Sequence, residues 1–439
     1  MLKKKPAAGK NILDTLKIIG DNFSSLRIKN IRIYMSGQTI SLLGNWMQQT
    51  AQSWVVWELS HSAASLGIVA FLSQFPSFLF GPWAGAFADR FDRKKILMIT
   101  QILSMLLAFI LAFMVQSGVL VLWHVYVLAL MLGIVSAFDM TAEQAFISEI
   151  AGEKNIQKTI ALNNSLNQLT RLIGPSIAGW AIASFGVAPA FWFNGIAYIM
   201  VVFTLIVIHS DREIKPVEGT GFEQFLEGLR YIQKQKLLRL VILFSAILTF
   251  FGLSIVQMMP AIASLMLNGN AQTLGYLLGA AGAGALTGTL FVVPFTQRIK
   301  RSCLAIGGSL IWSGCWYITF SFSRNIPFSM LCQFMASLGA ANVLTLTSGL
   351  AQVLAPPHMR ARIVSTILMI SFGLQPLASY LAGWVADVFG ISRMMLVSGM
   401  LMIFFTGILL ALPSIRKLTA NLHIPDLIHK YIPRFGSGD

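Results

Sequence analysis

Apolar residues run in long unbroken stretches along most of this chain, with short polar segments between them. A stretch such as LSMLLAFILAFMV, residues 103–115, shows no alternation at all. A membrane-spanning strand would alternate apolar and polar residues over about 10 positions, so the pattern argues against a barrel. A helix of about 20 apolar residues crosses a hydrocarbon core roughly 30 Å thick. The pattern predicts such helices at residues 33–58, 64–88, 96–116, 121–145, 158–185, 188–208, 237–266, 273–296, 303–322, 326–351, 361–388 and 391–413. The expectation is an all-α integral membrane protein with 12 transmembrane helices.

Composition agrees, since 56% of the residues are hydrophobic and only 11% charged, too few to coat a water-soluble domain. Basic residues in short loops collect on the cytoplasmic side of a membrane. With the N-terminus placed inside, 29 of the 32 basic residues fall in cytoplasmic segments; Arg324 and Arg393 lie opposite, and Arg171 lies within a span. The net charge of +15 therefore reflects topology and anionic headgroups, and it calls for no nucleic-acid partner. Residues 1–30 open on a lysine cluster but lack the short apolar core and cleavage site of a signal peptide. They read as a cytoplasmic amphipathic segment on the inner leaflet, or as a basic tail without fixed structure. Cys303, Cys315 and Cys332 suggest neither a disulfide framework nor a metal site. Phosphate loops, nucleophile elbows and paired metal ligands are absent from the sequence, so no enzyme chemistry and no cofactor is expected.

The chain repeats itself. SIAGWAIASFG at 176–186 matches YLAGWVADVFG at 380–390, an offset that lays the fifth span on the eleventh. DRFDRK at 89–94, after the second span, has a worn counterpart in QRIKRS at 297–302, after the eighth. Two pseudo-symmetric six-helix bundles are expected, over 31–208 and 237–413, with a cytoplasmic linker at 209–236 and a cytoplasmic tail at 414–439. One segment stands out in so apolar a protein: GAFADRFDRKK, residues 85–95, carries six charges. Its Gly85, Asp89, Arg90, Arg93, Lys94 and Lys95 resemble the signature between helices two and three of the major facilitator superfamily. SGQTISLLGNWMQQTAQSWVVWELS, AFDMTAEQAFISEIAG and ALNNSLNQLTRLIGPSIAG are similar to the drug-antiporter branch that includes enterobactin exporters and other small-molecule secretion transporters.

That resemblance implies a gate. Gly85 would let helix two approach a neighbour, and Asp89 would face the positive N-terminus of the eleventh helix. Arg90 and Arg93 would pair with Glu143 or Glu149 below helix four, latching the halves shut on the cytoplasmic side. Gly174-Pro175 and Gly179 resemble the antiporter signature of helix five, although Thr170 and Ala178 stand where glycines are expected; this favours export.

Polar residues at membrane depth usually face the bundle interior. Helix one carries Gln38, Ser41, Asn45, Gln49 and Gln52 on one face. Asn164, with Asn167 or Gln168, continues the pattern on helix five, and Gln257, Asn342 and Gln375 add to it from later helices. These are the candidate substrate-binding residues, together with Arg171. For that buried guanidinium two readings stand: a permanent ion pair with Asp139 or Glu143, or a planar fork for an anionic cargo. Proton coupling needs a carboxylate whose protonation changes with access. Asp139, one helical turn from Glu143, is the first candidate and Glu58 the second.

The expected function is proton-driven export of a small amphipathic organic molecule, siderophore-like or drug-like, by a monomer in the bacterial inner membrane. Both termini would be cytoplasmic, and the partners would be the cargo and the lipid bilayer. A siderophore importer of the same fold and a lysophospholipid or lipid translocator are the alternatives.

Overall fold

The structure, a computed structural model, describes residues 24–152, 155–208, 221–296, 302–356 and 359–412. Most of the N-terminal segment, residues 209–220 of the linker and the C-terminal tail lie outside them. Among the described residues the regular structure is entirely helical. The principal helices are α1 (Lys29–Ser60), α2 (Ala63–Arg90), α3 (Arg93–Gln116), α4 (Leu122–Ala151), α5 (Ile156–Phe185) and α6 (Ala188–Val207). An amphipathic α7 (Gly221–Lys234) follows. It takes up part of the expected linker and packs against α2 and against the helix Arg360–Phe389.

The run 236–266, called α8, departs from the continuous helix expected there. It starts as Lys236–Ile247, widens into a π-helical segment at Leu248–Leu253, and breaks at Met258 just before Pro260. It widens again at Ile262–Met266. Proline removes a donor and clashes with the preceding turn, and π turns absorb an extra residue. The next helix, α9 (Ala271–Thr287), continues through another π segment at Gly288–Val292. α10 (Ser302–Phe322), α11 (Ile326–Leu354), α12 (Arg360–Phe389) and α13 (Ile391–Ala411) complete the chain.

Local chemistry fixes the ends. Asp92 caps α3 by accepting from the backbone N–H of Lys94 at 2.9 Å and of Lys95 at 3.3 Å, and Asn270 and Asn325 do the same for α9 and α11. The sequence repeat appears as a shared stop: α5 ends at Gly186 with φ +80° and α12 at Gly390 with φ +90°, a conformation glycine adopts without steric cost.

Nine helices among the described residues are long and apolar enough to cross a membrane. α1, α5 and α12 are 32, 30 and 30 residues long, ample length for a crossing, and α1 and α5 are the helices richest in glutamine, asparagine and arginine. Large apolar side chains such as Phe113, Phe185, Phe203 and Phe291 stand exposed on the outer surface, as a lipid-facing wall requires.

α1 packs on α5 and α6, α2 on α4, and α3 on α4 and α6; later in the chain, α10 packs on α11 and α13, and α9 on α11. Two seams cross between these groups, α2 with α12 and α5 with α9. Both are lined by glycine. A Cβ on Gly67 would lie 2.5 Å from the Ser379 carbonyl oxygen, and one on Gly275 would lie 2.9 Å from the Gly179 Cα. Only bare backbone fits so close an approach. The two seams lie toward one end of the molecule, where α1 turns into α2 and α5 ends; this end is called rim A, and the opposite end, bearing the α2–α3 turn, rim B.

Candidate functional site

The interior polar residues gather around α4. Asp139 Oδ1 accepts from Thr100 Oγ1 at 2.6 Å and Gln101 Nε2 at 3.0 Å, both on α3. One turn on, Glu143 Oε1 accepts from Gln38 Nε2 of α1 at 2.8 Å and Asn163 Nδ2 of α5 at 3.3 Å. All four donors are neutral. Each of the three amides that donates here leaves its own oxygen buried without a partner: Gln38 Oε1, Gln101 Oε1 and Asn163 Oδ1. Buried acceptors are rarely left so.

Glu143 is therefore an interior residue rather than part of a rim gate, and Gln38, only 4% exposed, serves it instead of a cargo. Neither carboxylate meets Arg171. That guanidinium lies over the ring of Trp46, 5.5 Å from its centre, a cation–π contact. Among the described residues it has no ion pair. Of the two readings of Arg171, the permanent pair with Asp139 or Glu143 is absent here. The reason is register: Asn163, which reaches Glu143, sits two turns below Arg171 on α5, roughly 12 Å along the axis.

A cavity of about 350 Å³ opens beside the carboxylates. Asn45 and Gln49 of α1, Asn167 of α5, Gln257 of α8 and Asp139 itself are on its wall. The break in α8 at Met258 sits next to Gln257. Trp46 also lines the cavity, so Arg171 stands just behind the wall, across the indole. Asn45 is held by α6, whose Tyr198 hydroxyl donates to Asn45 Oδ1 at 2.6 Å while Asn194 Nδ2 donates to Asn45 Oδ1 at 3.2 Å and Gln48 Oε1 at 2.9 Å. Tyr198 and Gln48 line the cavity too. Sequence reasoning passed over them, although Asn194 and Tyr198, one turn apart in an apolar helix, were a readable signal. Nothing in the pattern distinguished Trp46 from an ordinary apolar residue.

Other candidates lie elsewhere. Asn342, 1% exposed, donates from Nδ2 to Ser309 Oγ at 2.6 Å and accepts from Thr296 Oγ1 at 2.8 Å. It ties α11 to its neighbours and is off the cavity wall, because its side chain is spent on helix packing. Asn164 and Gln168 are exposed and Gln375 partly buried, and none of the three is on the wall. Glu58 is exposed near the end of α1, accepting from Trp54 Nε1 at 2.6 Å. It stands 13 residues beyond Asn45, about 20 Å along the helix.

At rim B the charged segment fastens helix ends. Lys94 Nζ donates to the Ile208 carbonyl at the end of α6 at 2.7 Å, and Arg93 pairs with Glu149 of α4 at 3.5 Å. Arg90 is exposed. Among the described residues, a Cβ on Gly85 would meet only Thr141 Cγ2, at 3.9 Å. The side chain of Asp89 lies outside the described residues.

A family model described as transmembrane secretion effector matches residues 21–430. The staphyloferrin A transporter of Staphylococcus aureus is 25% identical over 84% of this chain and 92% of its own length. The multidrug efflux pump Tap of Mycolicibacterium fortuitum is 25% identical over 85% of this chain and 93% of its own. Macrolide efflux protein A of Streptococcus pyogenes is 22% identical over 91% and 99%. Among solved structures, a bacterial homolog of the human lysosomal transporter Spinster, in an inward-facing and unoccupied conformation, superposes with TM-score 0.66 at 14% identity, covering 93% of this chain and 99% of that one. The nucleoside transporter NupG gives TM-score 0.69 at 13% identity, over 87% and 98%.

Proposed function

The chain belongs to the transmembrane secretion effector family of major facilitator transporters, multi-pass membrane proteins and not enzymes, and on that premise we propose that it exports a small amphipathic organic anion by proton-coupled alternating access. The export reading draws support from relatives named as efflux pumps, and the anionic cargo from one named for a siderophore. In this reading twelve helices form two bundles, α1–α6 and α8–α13, in the bacterial inner membrane, and the unit works as a monomer because the cavity is built within one chain. Rim B faces the cytoplasm, following the basic residues in its loops. The glycine seams close rim A, so the arrangement described is the inward-facing one. In the opposite state, with rim B closed, Asp89 would meet the positive N-terminus of α12.

One observation carries the reading: a cavity whose wall holds a carboxylate backed by a second, with an arginine behind the adjoining indole that pairs with no acid among the described residues. Two carboxylates one turn apart repel, and burial disfavours charge. A proton arriving at Asp139 or Glu143 relieves both costs and supplies an O–H for the waiting amide oxygens. Arg171 is left to hold a carboxylate or catecholate through paired hydrogen bonds. Amphipathic cargo would stack on Trp46 and Tyr198.

Everted vesicles test this. Acidifying their lumen should drive uptake of a labelled carboxylate siderophore, and collapsing the gradient with a protonophore should stop it. Accumulation in right-side-out vesicles would instead identify an importer, and flipping of labelled lysophospholipid without siderophore transport would identify a lipid translocator.

A further inference from the structure

Asp387, in the last turn of α12, reaches across the seam to the start of α2. Its Oδ2 accepts from Ser62 Oγ at 2.6 Å and from the backbone N–H of Ala64 at 3.0 Å, and its Oδ1 accepts from the backbone N–H of Ala63 at 2.6 Å. The first N–H groups of a helix have no partner within it and carry the positive end of its dipole. Ser62 serves only Ser65 N–H, at 3.2 Å, so α2 is capped jointly by its own serine and by a carboxylate 325 residues away. Beneath the cap the same two helices touch backbone to backbone, Gly383 against Ala63 and Gly67 against Ser379.

We propose that Asp387 is the catch that holds rim A closed: a positioning residue for transport that stabilises one of the two alternating states by capping α2 from the opposite bundle. This rests on the alternating-access reading above. Opening rim A must part α2 from α12, and every such opening breaks three hydrogen bonds to one carboxylate. Asp387 is exposed, so water replaces the lost partners and the catch stays reversible. Charged acceptors still hold N–H donors better than neutral ones do, which favours the capped state. The link to the cavity is short. Only His61, in the left-handed conformation at φ +47°, and Ser62 separate α2 from α1, and α1 carries Asn45 and Gln49 on the cavity wall. Releasing the cap frees the end of the helix that touches cargo.

Spin labels at Val119→Cys and Arg393→Cys, both exposed at rim A on opposite bundles, report its opening in nanodiscs once Cys303, Cys315 and Cys332 are replaced. Wild type should show mainly the short distance, with a longer one growing as pH is changed. Asp387→Asn should shift the closed-to-open ratio about tenfold toward open, the size expected for losing a charged hydrogen bond. Ser62→Ala should shift it less, and Glu58→Gln, which removes a charge at the same rim without crossing the seam, should leave it unchanged. An Asp387→Asn distribution that superimposes on a pH-responsive wild type, or a Glu58→Gln shift of equal size, overturns the catch and leaves the transport reading intact. A wild type that keeps one distance at every pH overturns alternating access, and the catch with it. Should Asp387→Asn fail to insert, Ser62→Ala decides: the cap on Ser65 N–H that it also removes lies within α2 and is lost equally in both states, so only the bond to Asp387 moves the ratio.

Discussion

The guanidinium of Arg171 rests 5.5 Å from the centre of the Trp46 ring, and no carboxylate among the described residues shares it. An arginine at membrane depth costs at least about 2.5 kcal/mol on the mildest insertion scale. A cation–π contact returns about 2 kcal/mol when desolvated. The site is therefore close to balanced when empty, and an incoming anion tips it.

Arg171→Lys keeps the charge but loses the planar fork. It should weaken an anionic cargo by about tenfold to a hundredfold, the range for a lost charge-assisted hydrogen bond, and leave a neutral drug almost untouched. The concentration dependence of transport in proteoliposomes, measured for one anionic and one neutral substrate, checks this.

Asp139→Asn and Glu143→Gln should separate coupling from movement. Each removes a proton acceptor while keeping a side chain of the same shape. The cargo accumulation ratio sustained by a pH gradient should fall more than about tenfold, equivalent to over about 1.4 kcal/mol of lost coupling, while cargo counterflow without a gradient persists. Counterflow and gradient-driven uptake in the same vesicles give both numbers. Uphill transport that stays fully gradient-dependent in both variants removes these residues from the coupling step.

The seams make a steric prediction. Alanine at 275 puts a methyl 2.9 Å from the Gly179 Cα and from the Pro175 carbonyl oxygen, and backbone at that distance must move. Overpacking of this kind costs about 1–3 kcal/mol, charged to the state with rim A closed. Gly275→Ala should therefore raise labelling of a Ser176→Cys thiol by an impermeant reagent added on the rim A side. Gly308→Ala, which meets nothing within 4 Å among the described residues, should not.

Rim B separates two kinds of charge. Asp92→Ala removes the cap of α3 and should cost about 1 kcal/mol of stability. Arg90→Ala removes a cation on an exposed side chain, and surface charges of that sort contribute less than about 1 kcal/mol. Thermal unfolding in detergent should rank Asp92→Ala as the more damaging, the reverse of what the basic count of the segment suggests.

The helices were legible in the sequence because continuous apolar runs admit almost no other backbone arrangement in lipid. Half of the cavity was legible too: Asn45, Gln49, Asn167 and Gln257 are polar where polarity is costly, and they do line it. Periodicity says that a face is polar without saying what it meets. Gln38 shares its helical face with Asn45 yet serves Glu143, and Asn342 is equally buried and polar yet binds its neighbouring helices. Asp387 gave no sign of its role, since its partners, a serine hydroxyl and two backbone N–H groups, lie more than 300 residues away. Pro260 marked the break in α8, yet the widened turns on either side of it were invisible for another reason. The residues of α8 are as apolar as any span, and a widened turn leaves the composition unchanged.

That widened turn has a mechanical consequence. Each π segment holds one residue more than an ordinary helix would, and Gln257 stands between Leu248–Leu253 and Ile262–Met266. Passing one surplus residue out of a segment twists everything beyond it by about 100° around the axis. Were the first segment to rewind as a plain α-helix, Gln257 would swivel away from the chamber while its backbone barely travelled. α8 thus works like a screw thread with slack in it, able to present or withdraw its amide without tilting the surrounding helices.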